Sequence, residues 1–385
     1  MRILWWSPPP WAPSGYGVQT KLIVPQLVKQ GHEVAIGAYA GVHEERVWET
    51  EFGPATILGT SGRNYGNGLV DYLYNKWDAT VMVTLCDVFC LEPSQFVGKG
   101  VWPWMPIDCD PMGEPDKIWL HMATEQAKAI VHPIAMSQFG QKVLAAEGIE
   151  AGYIPHAFDP RVYYPDPDAG RAWRKEVGVP SDLFLISMCG VNSGVMDRKA
   201  FVETLVAFKH FSDQKKDVGL YLHTEAQYVE GYNLAKLALS LGLKGRVVFA
   251  DEKRRVADDY NEAYMRGMYN ASNVYTQTSK GEGFGVNTIE ALACGTPVVA
   301  SRWSAQKEII TKDVGWQVDG QLFRAKHHES WWKVPLVPSI VQAYGRAYQA
   351  RGNTTLHERC VKYAQQFSID VVGPMWDDAP FVNMA

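Results

Sequence analysis

Apolar residues along the chain fall in short continuous runs, and these alternate with segments whose apolar positions recur every three or four residues. Continuous runs rich in Val and Ile read as strands buried on both faces, and the three-and-four spacing reads as helices laid against them. Arg2–Trp6 is the first run. Ser7–Pro13 (SPPPWAP) interrupts it, because proline continues neither strand nor helix. Ser14-Gly15-Tyr16-Gly17 follows, and a helix is expected through about Lys29 with Leu22, Ile23, Leu27 and Val28 inward. Gly31 closes it, and His32–Ala38 is the second strand. Thr80–Thr84 (TVMVT), Val101–Ile107 and Ile130–Met136 continue the series, with a helix from Ser137 to about Ala146. Tyr39–Tyr65 shows no clear period.

The alternation resumes after a linker, where Tyr163–Pro167 and Val179-Pro180-Ser181 flank one helix. Leu183–Cys189, Leu220–His223, Val247–Ala250 and Val274–Thr278 are strands. A helix over Arg198–Phe211 buries Phe201, Leu205 and Phe208. Ser339–Ala350 and Leu356–Phe367 are the last long helices. Strand and helix alternate in two blocks, which predicts an α/β chain of two Rossmann-like domains.

The densest signal is Ser279–Ser301, SKGEGFGVNTIEALACGTPVVAS. It reads as a glycine loop, a helix over Val286–Cys294 stopped by Gly295 and Pro297, and a buried strand. Such a loop brings backbone N–H groups and the positive end of a helix toward an anion such as a phosphate. Glu290 lies on the otherwise apolar helix, where a carboxylate is costly unless it is exposed or hydrogen-bonded. A ribose diol would supply two donors to it. Glu282, in the loop, would repel a phosphate, so hydroxyls or a cation beside the phosphate suit it better. From spacing alone, a plain strand–loop–helix turn with a solvated glutamate at each end fits equally well, and Gly281-x-Gly283-x-Gly285 is not the dinucleotide fingerprint. Arg198 and Lys199, placed at the start of a helix after a strand and loop, oppose the helix dipole unless an anion joins them.

The segment EGFGVNTIEALACGTPVVAS resembles the signature of the retaining glycosyltransferases of family 4, which have the GT-B fold. In that signature two glutamates are separated by seven intervening residues, as Glu282 and Glu290 are, with Gly-Phe-Gly after the first and Ala-Cys-Gly-Thr-Pro-Val-Val after the second. The resemblance implies two Rossmann-like domains facing a cleft: residues 1–165, on the acceptor side and completed by a C-terminal helix within 366–385, and residues 166–365, binding a nucleotide sugar. It implies that Arg198 and Lys199 hold the donor diphosphate. Glu282 then meets the transferred sugar, Glu290 the ribose, and Gly15, Gly17, Gly283, Phe284 and Gly285 line the donor site. The donor would be a UDP- or GDP-sugar such as UDP-glucose or GDP-mannose. Anomeric configuration would be retained, the departing phosphate taking the acceptor proton.

The chain departs from the family pattern in two places. The paired glycines of the first loop are split by Tyr16. The first-domain histidine is missing where the chain reads Met105-Pro106-Ile107-Asp108, which makes Asp108 its substitute, with Asp87 behind it. Asp108-Cys109-Asp110 also imitates the metal-binding Asp-x-Asp of GT-A enzymes. The rest of the chain argues for GT-B, so neither metal nor cofactor is expected.

Composition narrows the classes further. With 46% hydrophobic and 21% charged residues and a net charge of −5, the chain is of ordinary globular type without a global basic field for nucleic acid or anionic membrane. No apolar run is long enough to span a bilayer. The N-terminus does not read as a signal peptide, and six cysteines without CxxC pairs suit reduced thiols in a cytoplasmic setting. Lys253-Arg254-Arg255 is read as a solvated face. Trp5, Trp6, Trp11, Tyr16, Trp102 and Trp104 are either core or stacking faces for the acceptor. A glycan or lipid-linked acceptor is the default, and a modified DNA base is the minority option. An NAD-dependent oxidoreductase is disfavoured, since Trp11–Gly17 lacks Gly-x-Gly-x-x-Gly. A sugar-nucleotide epimerase of GT-B architecture and a catalytically silent sugar- or nucleic-acid-binding module remain the alternatives.

Overall fold

The computed structural model describes residues 1–39, 42–60, 64–193, 196–256 and 260–377. The chain divides into two compact units, Met1–Phe158 with Arg324–Trp331 and the segment from Phe367 onward, and Asp159–Phe323 with Trp332–Gln366.

The first unit runs β1 (Arg2–Ser7), α1 (Gly15–Lys29), β2 (Glu33–Ala38), β3 (Arg46–Thr50), β4 (Gly53–Gly59), α2 (Val70–Lys76), β5 (Val81–Thr84), β6 (Gly100–Met105), α3 (Glu114–His121), β7 (Ile130–Val131), β8 (Ile134–Ala135), α4 (Gln138–Ala146) and β9 (Gly152–Tyr153). Its sheet has the order β3-β4-β2-β1-β5-β6-β8-β9, with β7 beside β6. All pairs are parallel except β3 with β4. That antiparallel pair is the content of the stretch without a period: an edge hairpin exposed on one side alternates only weakly.

Ser14 caps α1 by accepting the Gly17 N–H at 3.1 Å. The tryptophans of this unit are chiefly core. Trp5, Trp6 and Trp104 are fully buried and Trp102 nearly so. Three of the indoles find partners: Trp5 Nε1 donates to Thr20 Oγ1 at 3.2 Å, Trp6 Nε1 to the Tyr65 carbonyl at 3.0 Å, and Trp104 Nε1 to the Ile154 carbonyl at 2.8 Å. Acceptor stacking is therefore closed to these four, and only Trp11, 47% exposed, and the partly exposed Tyr16 keep it open. The tail belongs to this core. Phe158 makes strand-like bonds to it, its N–H donating to the Phe367 carbonyl and its carbonyl accepting from the Ile369 N–H, and Trp376 packs against Trp5 and Trp104 at 5.4 and 5.0 Å between ring centres.

The second unit runs α5 (Pro167–Val177), β10 (Phe184–Cys189), α6 (Phe201–Gln214), β11 (Val218–His223), α7 (Leu234–Ser240), β12 (Val247–Phe249), α8 (Glu252–Val256), α9 (Glu262–Ala271), β13 (Val274–Gln277), α10 (Val286–Ala293), β14 (Val298–Ser301), α11 (Ser304–Ile309) and β15 (Gly315–Val318). The hairpin β16 (Gly320–Ala325) and β17 (Ser330–Pro335) follows, then α12 (Val337–Gln349), α13 (Thr354–Ala364) and, back in the first unit, α14 (Ile369–Val372). Its parallel sheet has the order β12-β11-β10-β13-β14-β15, the doubly wound order. Phe184, Ile186 and Met188 of β10 and Leu220 and Leu222 of β11 pack on Phe201, Leu205 and Phe208 of α6. The strand order reverses between β10 and β13, and ligands of open α/β sheets bind beyond the strand ends at such a point. No helix among the described residues is long and apolar enough to cross a membrane. All six cysteines are free.

Candidate active site

Two loops meet at the switch point of the second sheet. One leaves β10 at Cys189 and re-enters at Asp197–Ala200; the other leaves β13 at Gln277 and runs to α10. They are stitched together. The Lys280 N–H donates to the Arg198 carbonyl at 2.8 Å, and its ammonium to the Met196 carbonyl at 2.8 Å.

Arg198 and Lys199 do not begin the helix, contrary to the expectation from sequence. α6 starts at Phe201, after Ala200 in the left-handed region at φ +58°. The helix N-terminus is satisfied by Asp197, whose carboxylate accepts the N–H groups of Phe201 and Val202 at 3.1 and 3.0 Å. An anion is thus already built in, and the two cations are spared for the loop opposite. Residues 194–195 of the preceding loop lie outside the described residues.

Both cations converge on Glu282. Lys199 Nζ donates to Oε1 at 2.6 Å, and Arg198 Nη1 to Oε2 at 3.1 Å and to the Gly281 carbonyl at 2.9 Å. Gln277 Nε2 adds a third bond, to Oε1 at 2.7 Å. The Glu282 N–H donates to Ser304 Oγ at 2.9 Å. Burial alone would push this carboxyl up. The charges of Lys199 and Arg198, with hydrogen bonds from Lys199 and Ser279, outweigh it and hold the group at about 2. Of the two partners expected for Glu282, hydroxyls or a cation, the cation is present. Behind Lys199, Gly190 is pressed against the lysine stem: a Cβ there would meet Lys199 Cγ at 3.2 Å.

The loop reaches α10 through Gly283, buried Phe284 and Gly285, whose φ of +101° places it where side chains are strained. Gln306 locks the turn. Its Nε2 donates to the Phe284 carbonyl at 2.6 Å, and its Oε1 accepts from Thr288 Oγ1 at 3.1 Å. Glu290 is 4% exposed, and Tyr269 Oη donates to its Oε2 at 2.8 Å. The Tyr163 phenol lies beside it and, like Tyr269, favours its charged form. Burial wins over both phenols and pushes Glu290 up to about 7, the charge of Glu262 adding to the rise. The two glutamates of the motif therefore stand in opposite electrostatic states.

Gln277, Ser279, Tyr163 and Tyr269 were not foreseen. The legible signal was Gln277, a polar residue ending an apolar strand. Tyr163 and Tyr269 are distant in sequence from Glu290 and unmarked by any spacing.

The remaining predicted residues belong to the first unit. Gly17 spends its N–H on Ser14, and a Cβ there would meet the Ala12 carbonyl oxygen at 2.3 Å, so close packing by itself requires this glycine. Gly15 begins α1 and is exposed. Asp108 follows β6 and is partly buried. Its charge and that of Asp87 add to the burial that pushes Asp116 up to about 8, which places the three carboxyls near one another. Asp110 is exposed and its backbone pairs with Trp331. Among the described residues no group of three or more His, Cys, Asp or Glu is placed to hold a metal ion. Arg254 is not simply solvated: it pairs with Glu176 and lies 5.6 Å from the Tyr264 ring. The Arg255 side chain lies outside the described residues.

Comparison with known proteins places a family match over this segment. Residues 194–332 match the family described as Glycosyl transferases group 1. A D-inositol 3-phosphate glycosyltransferase of Xylanimonas cellulosilytica is 31% identical over 158 residues, 40% of this chain and 35% of that protein. The match thus spans about a third of that relative's length. Among solved structures, sucrose-phosphate synthase from Thermosynechococcus elongatus aligns with a TM-score of 0.75 at 17% identity, covering 100% of this chain and 99% of its own. HepE from Anabaena, in complex with UDP and glucose, aligns with a TM-score of 0.69 at 16% identity, covering 100% of both chains. The chain therefore has the GT-B fold of these structures, and its residues 194–332 match the Glycosyl transferases group 1 family.

Proposed function

We propose that this protein is a retaining glycosyltransferase that moves a sugar from a nucleoside-diphosphate sugar to an acceptor hydroxyl. The observation that carries the reading is the pairing of Arg198 and Lys199 with the buried Glu282 at the strand-order reversal, inside the matched segment. Bond cleavage leaves an oxocarbenium-like sugar and gathers negative charge on the diphosphate. Arg198 and Lys199 meet that growing charge, and the N–H groups at the start of α10 add to them. Glu282 holds both cations in place and offers oxygens to sugar hydroxyls, while Glu290 meets the ribose. The departing phosphate takes the acceptor proton, so no protein nucleophile is required.

The donor is a UDP-sugar in the first instance: the Anabaena protein of the same fold has been solved with UDP and with UDP-glucose. Asp108 positions sugar or acceptor from the first unit. Two cations already face the diphosphate, so a metal is not needed to neutralise it.

The test is turnover of UDP- and GDP-sugars with a panel of polyol, glycan and lipid-linked acceptors, with and without EDTA. Retention of anomeric configuration, read by proton NMR of the product, supports the reading; an inverted product removes it. Activity lost on chelation and restored by manganese would place a metal at Asp108 and Asp110. Donor altered without acceptor would indicate an epimerase instead.

A further inference from the structure

Glu282 and Glu290 are held in different ways. Glu282 is gripped by two cations and an amide. Among the described residues no ion pair involves Glu290; the hydroxyl of Tyr269, from α9, donates to its carboxylate, and the phenol of Tyr163, from the segment before α5, lies beside it. Both tyrosines are buried, Tyr269 completely and Tyr163 to 6% exposure, and their rings meet edge to face at 5.9 Å. Tyr269 packs in the same way on Tyr275 of β13, at 5.6 Å. The hydroxyls are therefore fixed by their rings and are not free rotors aimed at water. A carboxylate offers about four lone-pair directions, and two phenols fill only two of them.

We propose that Tyr163 and Tyr269 are positioning residues: their hydroxyls fix the Glu290 carboxylate so that its remaining lone pairs meet the two hydroxyls of a nucleotide ribose. The assignment rests on the donor reading above. The surroundings of Glu290 explain why such a device is needed. Glu262 at the start of α9, Cys189 at the end of β10, Cys294 at the end of α10 and Tyr275 on β13 share its electrostatic surroundings, and ionisation of any of these adds negative charge. Burial already pushes the carboxyl to about 7, and the two phenols are what keep it from rising further. Donor binding then depends on pH through Glu290, and the tyrosines set where.

The conservative variants Tyr163→Phe and Tyr269→Phe keep the ring contacts and remove one donor each. Two measurements are made on the full chain. The first is the titration of the Glu290 carboxyl carbon by NMR in 13C-glutamate-labelled protein, assigned through Glu290→Gln. The second is calorimetry with UDP between pH 6 and pH 9. Loss of one hydrogen bond to the charged form is expected to raise the midpoint by about one pH unit, to weaken UDP about fivefold at pH 7, and to leave affinity within about twofold of wild type at pH 9. With UDP-glucose, the donor KM rises at pH 7 while kcat holds. An unmoved carboxyl midpoint in both variants overturns the positioning role. A midpoint that moves while UDP affinity ignores both pH and Glu290→Ala overturns the ribose reading beneath it, a different failure from the first.

Discussion

At the scale of single residues, the motif's two glutamates carry opposite pH signatures. Glu282 is held at about 2 against an ordinary value of 4.5. It contributes stability that is fully present above 4.5 and is lost as pH falls through 2. Glu290, at about 7, works the other way. Between 4.5 and 7 the folded protein binds its proton more tightly than the unfolded chain, so stability erodes as pH rises through that window. Urea denaturation at pH 5 and pH 8 separates them. Glu282→Gln is expected to cost on the order of 3 kcal/mol at pH 8, since it also strands two cations. Glu290→Gln should gain on wild type between pH 5 and pH 8; parallel behaviour of the two variants would contradict the assignment. Gly190→Ala tests the other side of the cluster. Its methyl meets the Lys199 stem at 3.2 Å, so the stem must yield by a few tenths of an ångström, against the short bond from its ammonium to Glu282. Turnover is expected to fall at least about tenfold, with stability lowered by no more than about 1 kcal/mol. Full turnover in this variant would mean that Lys199 need not sit where it does.

At the scale of elements, the loop into α10 is a clamp closed by Gln306. A Cβ on Gly285 would meet Gln306 Nε2 at 2.3 Å while φ stands at +101°. Gly285→Ala is expected to destabilise by about 2 kcal/mol and to weaken donor binding, and melting with and without UDP checks both. The same elements show how far the chain is legible. Strands such as β5 and β10 announce themselves because burial on both faces demands unbroken apolar runs. α10 and its loop announce themselves because glycine and proline bound them. The start of α6 misled: Arg198 and Lys199 have good helix propensity, yet the Asp197 cap and the left-handed Ala200 move the first turn beyond them. β3 and β4 were hidden because an edge hairpin lacks a continuous core face. The Glu282 cluster was legible as a list of residues but not as a set of contacts. The phenols on Glu290 were not legible at all, since only the packing of α9 beside α10 brings Tyr269 to that carboxylate.

At the scale of the whole molecule, the first unit is finished by residues from the far end of the chain. Trp376 is fully buried against Trp5 and Trp104. Trp376→Ala is expected to cost about 3–5 kcal/mol, measured by urea denaturation. A cost below about 1 kcal/mol would show that the tail merely lies on the surface.

That arrangement also sets an order of events during synthesis. Multidomain chains usually complete their N-terminal unit first as they leave the ribosome. Here the first unit lacks Trp376 and the strand-like partner of Phe158 until residues 367–376 are made, whereas the second has its whole sequence once Gln366 has emerged. The nucleotide-side unit can therefore be native while the earlier-made unit still waits, its tryptophans open to solvent. A nascent chain stalled before residue 367 would carry a folded second unit behind an unfinished first one, the reverse of the usual sequence.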